Sequence, residues 1–153
     1  MKAEVVPANA EHIGAIAARV RPADALELWL AYRQEPGTVM RWSLEQSAVA
    51  WSGLADGVPV CMFGVAPVIG AEGVGTPWMI GSVDVERYQM AFLRRCKGRV
   101  TEMLQVFPVL ENYVHKDNRR ALEWLAWLGF DIEPLPVAMG PFGAAFCYFS
   151  MRR

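Results

Sequence analysis

Residues 110–130, LENYVHKDNRRALEWLAWLGF, constrain the fold more than any other stretch, because they specify a short strand, a polar turn and an amphipathic helix with a defined stop. The run from Leu110 to Val114 is β-prone, and Asp117 or Asn118 is a good N-cap whose side-chain oxygen can accept from the first free helix amides. Ala121, Leu122, Leu125 and Leu128 then recur at the spacing of one helical face. Gly129 can take the left-handed conformation after the last turn, with Phe130 folding back onto it. Strand, cap, helix and stop agree.

The rest of the chain can be read around this unit. Residues 4–7 form a first strand and 9–20 a helix with Ile13, Ile16 and Val20 on one face. Pro22 suits the first turn of a second helix over 23–32, which carries Leu26, Trp29 and Leu30. The Pro36-Gly37 pair marks 34–38 as a turn, with a further helix over 41–50. Two apolar runs, 50–55 and 59–66, flank Asp56-Gly57, a hairpin signal because both residues tolerate positive φ. A third strand at 76–81 lies between glycines, and a long helix follows. After the 110–130 unit come a Pro/Gly-rich loop over 134–143 and a last strand at 146–151. The order specifies an α+β or α/β architecture, a mixed and mostly antiparallel central sheet with flanking helices. At 153 residues, without repeats or low-complexity linkers, the chain reads as one domain, 1–153.

Val114, Asn118, Ala121, Gly129 and Phe130 resemble the C-terminal signature of the GNAT N-acetyltransferase (acyl-CoA N-acyltransferase) fold. The resemblance implies a strand splayed from its neighbour, acetyl-CoA in the gap and Asn118 beside the acyl arm. It also implies a tyrosine as general acid seven residues after the asparagine, where this chain has Leu125, which cannot donate a proton. A longer resemblance covers nearly the whole chain. The segments RPADALELW, AWSGLADGVPVCMFGVAP, GVGTPWMIGS, FLRRCKGRV, LENYV and WLAWLGF are similar to those of internal virion or virion-assembly proteins of short-tailed bacteriophages. That resemblance implies a phage gene product on a GNAT-like fold, located in the host cytoplasm or the virion, with a phage or host protein as partner.

Acetyl-CoA use would require a pyrophosphate loop between the third meander strand and the long helix, where exposed amides cradle phosphate. The nearest match to the family pattern is Arg95-Cys96-Lys97-Gly98-Arg99-Val100, so Arg95, Lys97 and Gly98 join Asn118 as candidate cofactor-binding residues. Val100 stands where the pattern has a small residue. Periodicity points the other way. Val85, Tyr88, Phe92, Cys96, Val100, Met103 and Phe107 form one stripe through Gly98, which predicts an unbroken helix from about Asp84 with its amides already paired.

For a general base, placement favours Glu111 and Asp84, and each is more often a solvated surface charge. His115 reads as an exposed residue just after the strand, and Tyr113 is the nearby phenol that could replace the missing acid. Several function classes are excluded. A net charge of -1 favours neither nucleic acid nor an anionic membrane, and no run of apolar residues approaches the ~18 needed to span a bilayer. Cys61, Cys96 and Cys147 lie far apart without histidines at ligand spacing, so they read as reduced, buried thiols, with no metal site or disulfide framework. Neither G-x-S-x-G nor a P-loop occurs. The six Trp and eight Met are many for one core, and Trp29, Tyr32 and Trp42 are candidates for an exposed patch facing a partner. Two functions remain. One is a virion-assembly protein with a degenerate acetyl-CoA site; the other is an active N-acetyltransferase acting on a protein or a small amine. A host-takeover binding protein would differ from the first only in its partner.

Overall fold

The computed structural model describes residues 1–153. Strands β1 (Ala3–Pro7), β2 (Val49–Ala55), β3 (Val58–Pro67) and β4 (Val74–Gly81) form an antiparallel series. Strand β5 (Val109–His115) then runs parallel to β4. Strand β8 (Ala144–Arg152) is antiparallel to β5 and also pairs the short strands β6 (Asp131–Ile132) and β7 (Val137–Met139). Helices α1 (Ile13–Ala17), α2 (Pro22–Tyr32) and α3 (Pro36–Gln46) cover one face over a core of Ile16, Met40, Met62 and Ile80. On the other face α5 (Gln89–Val106) and α6 (Arg119–Leu128) bury Phe92, Val100, Trp124 and Phe149, and the short α4 (Val83–Arg87) links β4 to α5.

Local chemistry explains most boundaries. Asp56 and Gly57 take φ of 48° and 81°, the doubly positive pair that a two-residue turn between twisted strands needs. At the end of α6 the Phe130 N–H donates to Leu125 O and Gly129 takes φ 101°. Phe130 then buries its ring edge-on against Phe149, with centroids 5.2 Å apart. Pro36-Gly37 is not a turn. It opens α3, because proline at a first helical position lacks only an amide that would be unpaired there anyway. The first helix is shorter than periodicity predicts, a 3-10 turn at Ala10–His12 followed by α1, capped by the Asn9 side chain. Within the loop over 134–143 the structure finds β7. Gly140, at φ 74°, backs onto the Leu30 carbonyl so closely that no Cβ fits.

The long helix differs from the unbroken one predicted from Asp84. Tyr88, at φ -116° and ψ 25°, separates α4 from α5, and α5 then runs uninterrupted through Gly98. A Cβ on Gly98 meets nothing within 4 Å. Gly98→Ala is therefore expected to raise stability by roughly 0.5–1 kcal/mol in a denaturant melt. A loss would mean that Gly98 is not in a helix interior.

The feature that positions the site is the separation of β4 from β5. Their pairing is confined to Val74 with Val109 and Gly75 with Leu110. Val68 N–H donates to Val74 O and Ser82 N–H to Val60 O, so even-numbered residues of β4 bond to β3. By alternation Gly75, Pro77, Met79 and Gly81 face β5. Pro77 has no N–H to offer β5, so the parallel ladder stops there, and the Asn112 side chain bridges to Pro77 O at 2.7 Å instead. Beyond this point the strands diverge toward Gly81 and His115.

Candidate functional site

A cavity of about 170 Å³ fills the splay. Its walls are almost wholly apolar. Pro77 to Ile80 of β4 and Asn112 to Val114 of β5 form its sides. Leu93, Cys96, Val100 and Met103 of α5 and Trp124, Leu125 and Leu128 of α6 close one end, while Glu27, Leu28, Ala31 and Tyr32 of α2 form the other. Among the lining residues Tyr32 and Tyr113 are exposed, which puts the mouth on the α2 side. By the alternation above, the Met79 amide faces into this gap.

Glu27 is the one acid in the lining. Its Oε1 accepts from the His115 N–H at 2.8 Å and from Asn118 Nδ2 at 3.3 Å. Its second oxygen has no protein partner, and no buried side-chain oxygen is unpaired, so Oε2 is an accessible atom of a residue that lines the cavity. Burial pushes its carboxyl up to about 7, against the two hydrogen bonds, which favour the anion. A carboxyl poised near neutral pH in an apolar cleft can accept a proton during reaction.

At the wide end of the splay a polar cluster seals the sheet. Arg21, with 2% of its surface exposed, reaches across from the start of α2. Its guanidinium donates to Asp24 at 2.6 Å, to Glu86 at 2.7 Å and to Asn118 Oδ1 at 3.3 Å, and lies 4.7 Å from the centre of the Trp124 ring. Asp24 accepts in turn from the Gly81 N–H at 2.9 Å and from Asn118 Nδ2 at 3.1 Å. Burial raises its carboxyl above the usual range, and Arg21 pulls in the opposite direction. The backbone joins in. Arg21 N–H donates to Gly81 O, Val83 N–H donates to Arg19 O, and Val20 bridges Ser82.

The sequence candidates fall in different places. Asn118 lies beside the cavity at the start of α6 but makes no side-chain cap, its amide being spent on Arg21, Asp24 and Glu27. Arg95, Lys97 and Gly98 sit mid-way along α5, as the helical stripe predicts, where amides are committed to the helix ladder, so they do not form the phosphate loop of the family pattern. The Arg95 side chain caps Ala91 O, and Lys97 lies over the Trp127 ring at 4.5 Å. His115 is not exposed: it is buried at the end of β5 with its ring against Phe146. Asp84 pairs with Arg19 at 3.0 Å on the surface, which holds its carboxyl below the usual range. Glu111 accepts from the Tyr148 hydroxyl, and neither acid lines the cavity. Cys61, Cys96 and Cys147 are free and buried, with burial raising the Cys61 thiol and pushing that of Cys96 up to about 12.

The nucleotide end of acetyl-CoA does not suit this arrangement. Strand β4 passes into α4 through Ser82 alone, without a glycine-rich loop. The Ser82 and Val83 amides are paired with Val60 O and Arg19 O, and the nearby Arg19 and Arg21 are already engaged by Asp84 and Glu86.

Solved structures share this architecture over nearly its whole length. An N-acetyltransferase from Staphylococcus aureus Mu50 superposes with a TM-score of 0.72 over 99% of both chains at 10% identity. The fold is that of the GNAT N-acetyltransferases. The ribosomal-protein-S18-alanine N-acetyltransferase of Escherichia coli gives 0.67 at 13% identity, covering 99% of this chain and 94% of its own. The ribosomal-protein-alanine N-acetyltransferase of Brucella melitensis gives 0.67 at 12% identity over 98% and 99%. No family model matches the chain, and no curated protein does either. The GNAT resemblance is thus matched at the level of fold, while the phage resemblance rests on sequence segments alone. No helix is long and apolar enough to cross a membrane.

Proposed function

We propose that the protein is an N-acyltransferase that transfers an acyl group from a thioester to a primary amine in the β4–β5 splay. The carrying observation is the meeting of three features in one cavity: an apolar chamber, the Met79 amide aimed into it and the open carboxylate oxygen of Glu27. Glu27 takes the proton released as the amine nitrogen attacks the acyl carbon. The Met79 N–H donates to the carbonyl oxygen as negative charge develops there. The C–N bond forms, the C–S bond breaks, and the sulfur leaves as a thiolate that takes its proton from solvent, without a dedicated acid. Leu125 in place of a tyrosine is compatible with this chemistry. Positioning the two reactants supplies much of the rate.

Because the residues at the β4–α4 junction hold no phosphate, an acetyl thioester should not need a nucleotide to be used. The test is amine-dependent thiol release with acetyl-CoA and with acetyl-pantetheine, against small amines and peptides with free N-termini. Values of kcat/KM within about tenfold of one another are expected, since a used pyrophosphate contact would separate them further. No amine-dependent release with either donor would overturn the reading.

A second reading is favoured by the Arg21 seal and by the exposure of Trp29, Tyr32 and Trp42 on α2 and α3. In it the fold is a scaffold for virion assembly that engages a phage or host protein through this aromatic patch, in the host cytoplasm or the virion. A folded protein without acyl transfer, captured on a phage structural protein and released by Trp29→Ala with Trp42→Ala, would favour it over the first.

A further inference from the structure

We propose that the splay cavity is an acyl-chain pocket that selects a donor with an acyl group of about six carbons over acetyl. The inference rests on the N-acyltransferase reading and names the donor class for it. Size is the first argument. A cavity of about 150 Å³ lined by aliphatic and aromatic side chains stays dry and accepts benzene, so the 170 Å³ here holds about six carbon atoms. An acetyl group would leave most of it empty, and its lining without contact partners.

The walls are the second argument. Val100, Met103, Leu128 and Phe149 offer no donor or acceptor. A pantetheine arm carries two amides that would need partners. Along the β4 side Pro77 has no N–H, its carbonyl is already bonded to Asn112, and the Met79 N–H serves the thioester carbonyl. Charge is the third. No cation is in the lining, Arg21 beyond it is engaged by Asp24, Glu86 and Asn118, and the acid in the lining is Glu27. A free fatty carboxylate is therefore repelled, whereas a neutral thioester is not. The chain enters from the mouth at Tyr32 and Tyr113 and passes between the strands toward α5 and α6, leaving its carbonyl beside Met79 and Glu27.

The test is calorimetry, without any amine, of N-acetylcysteamine thioesters carrying acetyl, butyryl, hexanoyl and decanoyl groups. Each buried methylene is worth roughly fourfold in affinity, so hexanoyl is expected to bind on the order of 10²-fold more tightly than acetyl, with decanoyl falling off once the pocket is full. Ala121→Leu, a half-buried helical position in the lining, should shift the optimum to a shorter chain. Hexanoate should bind far more weakly than hexanoyl-N-acetylcysteamine. A flat chain-length profile, or an optimum unmoved in Ala121→Leu, overturns the pocket. Failure of the two readings is distinguishable. Chain-selective binding without transfer to any amine keeps the pocket and removes the enzyme, while transfer at equal efficiency for all chain lengths does the reverse.

Discussion

Arg21→Ala is expected to lower the unfolding free energy by about 3–5 kcal/mol, the cost of breaking a buried ion pair from one side. Arg21 is nearly inaccessible and ties together three helices: α2 through Asp24, α4 through Glu86, and the start and second turn of α6 through Asn118 and Trp124. Removing it strands Asp24, whose remaining partners are the Gly81 amide and Asn118. A carboxylate buried with a raised pKa and no cation would be driven to protonate, or the seal would open. The control is the pair Arg21→Met with Asp24→Asn, which removes both charges and should recover most of the loss, since replacing a buried pair as a unit is often near neutral. Urea denaturation of the three proteins checks this. A single variant as stable as the wild type would mean that Arg21 does not hold the splay closed.

Glu27→Gln is expected to reduce kcat by roughly 10²- to 10⁴-fold, the usual contribution of a general base, with little change in thioester binding. Glutamine keeps the oxygen that accepts from His115 N–H and Asn118 and loses the ability to take a proton. The wild-type rate should rise as pH passes through about 7, because the anion is the active form. Stability should move the other way. The folded carboxyl titrates near 7 and the unfolded one near 4.5, so the folded state holds the extra proton between these values and stability falls as pH rises across that window. Glu27→Gln should therefore unfold at the same or a higher temperature than the wild type at pH 8, while being nearly inactive. A variant that keeps full kcat would remove Glu27 from the mechanism.

Much of the fold was legible along the chain because it depends on neighbours in sequence. Gly129-Phe130 ends α6 through bonds that span only five residues, and Asp56-Gly57 turns β2 into β3 through two dihedrals. The helical stripe through Val100 and Met103 predicted a continuous α5 across Gly98, and local periodicity was enough to favour it over a phosphate loop. Pro36-Gly37 was misleading because the same dipeptide suits a turn and a helix start. The break at Tyr88 has no proline or glycine to announce it.

The site was less legible. Asn118 was picked out by the signature and its side chain bonds Glu27 of the cavity lining, but its partners come from 91 to 97 residues away. Glu27 went unnoticed because, on α2 between Leu26 and Leu28, it looks like an ordinary surface acid of an amphipathic helix. Arg21 and Asp24 looked like charges flanking a helix start. Spacing in the pattern Arg21, Asp24, Glu27, three apart, was the available hint that one helical face carries a buried charge network.

By itself the sequence determined the elements, their order and the GNAT-like architecture, because these follow from short-range dihedral preferences and the period of apolar residues. Tertiary structure alone decided the candidate site. Where β4 and β5 part company depends on Pro77 losing one ladder bond, and only the packing of α2 across that gap raises the Glu27 carboxyl to about 7 and makes Arg21 a seal. Burial and the approach of charges distant in sequence set those properties, and neither is encoded in any one segment.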